Sequence, residues 1–152
     1  MALQLRSTAF KDGGDIPESH TIDGKNSSPP LQWTGVPDET ESFALIVDDP
    51  DGASGIWVHW VLFNIPADST SLDENLPLRK KLEYGIRQGI NDFRKNGYGG
   101  PCPPKGAHHY HFKFYALDEM LDLPAGANKI QLLRAMEDHI LDESMLIGTY
   151  SR

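Results

Sequence analysis

Cysteine is nearly absent from this chain: its 152 residues include one, Cys102. A lone thiol excludes an internal disulfide and two-cysteine redox chemistry, and without a CxxC pair there is no structural zinc cluster. Positive charge is also scarce. Fourteen Lys and Arg stand against twenty-two Asp and Glu, a net charge of −8. A general phosphate-backbone binder needs a basic stripe, so nucleic acid is not an expected partner. Net charge is silent about a single cleft, however. Long apolar runs are missing too. The longest, such as Phe43 to Val47, reach about five residues against the ~20 that span a bilayer. The opening stretch MALQLRSTAFKDGGDIP has no apolar segment of the kind that drives secretion. The expected location is therefore the cytoplasm, with no integral membrane association. GxGxxG, P-loop and HExxH motifs do not occur, and Gly52-Ala53-Ser54-Gly55 has the wrong spacing for GxSxG.

What is present describes a globular chain. Hydrophobic residues make up 39% and charged residues 24%, and a chain of this length buries enough surface to fold as one domain, residues 1–152. Eleven prolines and fourteen glycines cut it into short pieces, which favours strands and turns over long helices. Leu3, Leu5 and Ser7 alternate with Gln4, Arg6 and Thr8 as a half-buried first strand, and 12–17 and 23–30 read as loops. In Ser42 to Asp49, Phe43, Leu45 and Val47 share one face, which Asp49 continues. Ile56 to Ile65 is apolar on both faces and predicts a central strand, with Trp57, His59 and Val61 on one side. His108 to Leu117 predicts another strand, whose core face carries His108, Tyr110, Phe112, Phe114 and Ala116. One helix is expected. Asn128 caps it, Gln131 completes a capping box, and Ile130, Leu133, Met136, Glu137 and Ile140 set its spacing. Met145 to Thr149 returns to a sheet.

Polar groups on these apolar strands are the candidates for function. Asp49-Pro50-Asp51 ends one strand, and a carboxylate on a core face is costly unless paired. His59 lies in the most apolar strand, and His108 sits at the rim of the third. Gly97-Tyr98-Gly99-Gly100-Pro101-Cys102-Pro103-Pro104-Lys105-Gly106 is a loop whose glycines would let backbone amides approach a ligand. Each has a plain structural alternative: a satisfied core histidine, an Asx turn before Gly52, an ordinary loop, a solvent-facing His109 and His111, an inert Cys102. Together they predict one pocket, with its chemistry open.

These same segments carry a resemblance. SPPLQWTGVP (28–37), DDPDGASGIWVHWVLFNIP (48–66), RQGINDFRKNGYGGPCPPKGAHHYHFKFYALD (87–118) and the end through LIGTY (146–150) are similar to the phosphatidylethanolamine-binding protein family in its compact prokaryotic, Raf-kinase-inhibitor-like branch. The resemblance implies a mainly β fold: an antiparallel β-sandwich of a larger and a smaller sheet, one main C-terminal helix and short peripheral helices. It also implies a small pocket for anions such as phosphate and phospholipid headgroups, built here from Asp49, Asp51, Trp57, His59, Gly100, His108 and Tyr110. Two positions depart from the family pattern: His109, where relatives usually carry Arg, and Arg94, where many carry Gly. Regulation of a protein kinase or serine protease, and a homodimer, are further implications of the resemblance.

The favoured expectation is a non-enzymatic binding module for a small anionic ligand, needing no cofactor and no metal. Two alternatives stand beside it. Asp49, Asp51, His59 and His108 are acceptable ligands for the divalent metal of a hydrolase. The chain is otherwise a protein-interaction domain with a vestigial pocket.

Overall fold

The computed structural model describes residues 2–152. Eight strands form two antiparallel sheets. The smaller has the order β1 (Gln4–Arg6), β2 (Leu31–Thr34), β5 (Ser71–Leu72); the larger has the order β6 (Arg87–Gln88), β4 (Trp57–Pro66), β3 (Ser42–Asp49), β7 (Ala107–Leu117), β8 (Ile140–Ser151). Alternation in the sequence decides what each face holds. Phe43, Leu45, Val47, Phe112 and Phe114 of the larger sheet meet Leu5, Leu31 and Trp33 of the smaller in one core. Trp33 spans the layers, its ring 5.3 Å from Phe43 and 4.6 Å from Phe114. The sandwich is thus held by aromatic contacts between sheets, and two 3-10 turns, Glu18–His20 and Glu83–Gly85, sit at its periphery.

The opposite face of the larger sheet is covered by α1 (Lys129–Met136). The expected capping box is there: Asn128 Oδ1 accepts from the Gln131 amide and Gln131 Oε1 from the Asn128 amide, both at 2.9 Å. The expected apolar stripe is not. Leu132 and Met136 are buried, whereas Ile130 and Leu133 are exposed and Ile140 already belongs to β8. Asp138, at φ +69°, turns the chain out of the helix two residues after Met136. A buried carboxylate anchors the helix start, since Asp48 Oδ2 takes Lys129 Nζ at 2.8 Å and Lys113 Nζ at 3.1 Å. Among the described residues no helix is long and apolar enough to cross a membrane.

One irregularity in β4 positions the site. Val47 pairs with Trp60 and the next residue, Asp48, with Val58, so β4 carries one extra residue, His59. The shift ends strict alternation, as a bulge does. His59 and Trp60 therefore face the inter-sheet side, while Val58 and Val61 pack under the helix. Val61 does not share the face of His59, because the extra residue reverses the parity. The strand is nevertheless buried on both sides: Trp60, Val61, Leu62 and Phe63 are inaccessible.

Candidate functional site

A cavity of about 310 Å³ opens where β3, β4 and β7 end, lined by Asp49, Trp57, His59, His108 and Tyr110 from the strands and by residues of three loops. These five were expected together, and they come from three strands adjacent in the sheet. Asp49 serves two partners at once. Its Oδ1 accepts the Asp51 amide at 2.8 Å, which is the Asx turn, and its Oδ2 accepts Nδ1 of His108 at 2.5 Å. His59 donates from Nδ1 to the Gly99 carbonyl at 2.6 Å. Because a carbonyl only accepts, this fixes Nδ1 as the donor and leaves Nε2 as the free ring nitrogen. Burial pushes the His59 imidazole below its ordinary range, against the opposing pull of the Gly99 carbonyl and the Asp49 charge. Tyr110 is 1% exposed, and burial raises its hydroxyl so far that it stays protonated. That hydroxyl has no hydrogen-bond partner.

Two expected site residues lie elsewhere. Asp51 turns outward to His109, whose amide and Nδ1 both donate to Asp51 Oδ2 at 2.9 Å. The hydrogen bonds to His109 hold the Asp51 carboxyl below its usual range. His109, one of the two positions that depart from the family pattern, is thus the residue that pairs with Asp51. Gly100 is packed against His20 and Asn26, with no room for a Cβ. Its amide donates to Asn26 Oδ1 at 2.8 Å, and the Gly99 amide donates to the His59 carbonyl at 2.9 Å. Those two loop amides are consumed in holding the loop and do not face the cavity.

Phe93 and the Gly52–Gly55 turn also line the cavity and were missed, whereas Cys102, Pro103 and Pro104 belong to the loop expected there. Phe93 stands edge-on to Trp57 and His59, with centroids 5.5 and 5.4 Å apart; an apolar residue inside the polar run NDFRKN was the available signal. Arg94 beside it has φ +64°, the region that favours glycine. Cys102, Pro103 and Pro104 form one wall, and the Gly52–Gly55 turn another. Among the described residues no three His, Cys, Asp or Glu side chains converge as a metal site.

The depressed titration of His59 ties stability to pH. Its folded-state value lies below its unfolded one, so the contribution is complete above about pH 6.5 and is lost as pH falls below it. Urea unfolding at decreasing pH should show the loss in the native chain and a shallower one in His59→Gln. Equal slopes would assign it to other groups.

A two-sheet antiparallel sandwich with a half-open, largely apolar cavity at its strand ends, bordered by a few polar side chains, places the chain among the antiparallel β-sandwich proteins. The chain belongs to one family among these: the phosphatidylethanolamine-binding protein profile matches residues 6–151. A UPF0098 protein of Methanothermobacter thermautotrophicus is 55% identical over 150 residues, covering 99% of both chains. One from Aquifex aeolicus is 45% identical, covering 99% of this chain and 89% of its own. Among solved structures, E. coli YbcL, described as a member of the mammalian family, superposes with TM-score 0.92 at 35% identity, covering 100% of this chain and 99% of its own. A homologue of the phosphatidylethanolamine-binding protein from Chlamydia trachomatis gives TM-score 0.91 at 39% identity, covering 99% and 98%. The β-sandwich inferred from the sequence is the fold of these neighbours.

Proposed function

We propose that this chain is a non-enzymatic binding protein whose cavity takes a small anionic group, of which a phospholipid headgroup phosphate is the chemical type. One observation carries this: the buried, protonated Tyr110 hydroxyl has no partner, and Tyr110 lines a cavity with the Asp49-oriented His108. An unpaired buried hydroxyl costs about 1–3 kcal/mol, which an accepting ligand oxygen removes. Trp57 and Phe93 add apolar wall for the remainder of the ligand. The hydrolase alternative finds Asp51 committed to His109 outside the cavity. Titration calorimetry with glycerophosphoethanolamine tests the proposal. Saturable binding that Tyr110→Phe weakens is expected, and no heat at millimolar ligand would overturn it.

A further inference from the structure

Position in the sequence gives Cys102 no role, but its surroundings do. The thiol is exposed and lines the same cavity as His59, His108 and Tyr110. Its neighbours are both fixed. Pro101 and Pro103 have restricted backbones, the Pro101 carbonyl accepts the Ile22 amide at 3.0 Å, and the Pro103 carbonyl accepts Arg152 Nη1 at 3.4 Å. The thiol is therefore held at the cavity wall by a braced loop. An independent observation points to a ligand in that cavity: the buried Tyr110 hydroxyl without a partner. The thiol thus borders the cavity that Tyr110, with its unpartnered hydroxyl, also lines.

We propose that Cys102 is a covalent modification site, exchanging with small disulfides that carry a carboxylate, so that the carboxylate of the adduct enters the cavity and excludes the anionic ligand. The proposal rests on the anion-binding reading of the pocket and extends it to control of that pocket. The Cys102 thiolate attacks one sulfur of RS–SR, a Cys102–SR bond forms, the RS–SR bond breaks, and RS⁻ leaves, taking up the proton that Cys102 released. The incoming disulfide is the only oxidant needed. The chain contains no second cysteine, so the adduct has no internal thiol to resolve it and persists until an external thiol reverses the exchange.

The charge of the chain makes the test discriminating. At −8, the surface as a whole repels a dianionic reagent, so a preference for one must come from the cavity. Rates of the native protein with dianionic dithiobis(nitrobenzoate) and neutral dithiodipyridine are each divided by those of N-acetylcysteine. The expected result is an anion preference of about tenfold, suppressed by inorganic phosphate and lowered by Tyr110→Phe. A ratio equal to that of the free thiol would overturn the proposal. Phosphate binding to Cys102→Ser, measured in parallel, separates the two levels. Phosphate that binds this variant but does not protect Cys102 in the native chain sinks the covalent site and leaves the anion pocket standing. Phosphate that does not bind, with no anion preference in the rates, sinks both.

Discussion

Phe63→Ala is expected to destabilise the protein by about 3–5 kcal/mol, the range for an aromatic side chain removed from a closed core. Phe63 is fully buried in the middle of β4. It packs with Ala44, Ile46, Val61 and Leu117 of the sheet and with Leu132 and Met136 of α1. The cavity left behind would be walled by the interior of the sheet on one side and a helix on the other. Neither relaxes easily, because β4 is paired with both β3 and β6. Urea unfolding of the variant measures the loss. Ile130→Ala, on the exposed side of the same helix, serves as the comparison and should change stability by about 0.5 kcal/mol or less. A loss below about 1 kcal/mol for Phe63→Ala would mean that β4 is not an interior strand buried on both faces.

The second large effect concerns the ligand. His108→Gln is expected to weaken binding of a phosphodiester headgroup by about 10- to 100-fold, the equivalent of about 1.5–3 kcal/mol for a hydrogen bond to a charged group. Glutamine retains a group able to bond Asp49 Oδ2, so the fold should survive. His109→Ala should leave binding within about twofold, because His109 pairs with Asp51 outside the cavity. The neighbouring residues thus form an internal control: same strand, opposite faces. Equal losses at 108 and 109 would contradict the facing of β7 on which the pocket depends.

Period-two alternation made an antiparallel β-rich chain legible and put Asp49, His59 and His108 together as pocket candidates; the two-sheet sandwich and the fuller set of pocket residues came from the family resemblance. Phe43, Leu45, Val47 and Asp49 did fall on one face, as did Tyr110, Phe112, Phe114 and Ala116. The alternation also brought Asp49 to His108 across two adjacent strands. It failed wherever the backbone departs from regularity. The extra residue at His59 reversed the parity of Val61, and no residue type in WVHWV signals a register shift. In α1, Ile130 and Leu133 gave a helical spacing as good as that of Leu132 and Met136. Which stripe is buried depends on how the helix docks on the sheet, through Lys129 and the buried Asp48. Loop residues were the least legible. The Gly99 and Gly100 amides are spent on His59 and Asn26, and Asn26 lies more than seventy positions away from Gly100.

On the proposed reading, the cavity binds an anion by taking up a proton, because of which ring nitrogens are free. Both imidazoles commit Nδ1, His59 to the Gly99 carbonyl and His108 to Asp49. In the neutral ring this leaves a lone pair on Nε2, which repels an anionic oxygen, so a hydrogen bond from Nε2 requires a protonated ring. Burial disfavours a charged His59, so the Nε2 positioned to donate to an anion is that of His108, whose Nδ1 is paired with the Asp49 carboxylate. The most direct measurement is the affinity for glycerophosphoethanolamine, whose phosphodiester charge is constant, at pH 8, 7 and 6. Affinity should strengthen as pH falls, by up to about tenfold per pH unit, and the dependence should vanish in His108→Gln. Affinity that is flat from pH 8 to 6 in the native protein, or a slope that survives in His108→Gln, would contradict it.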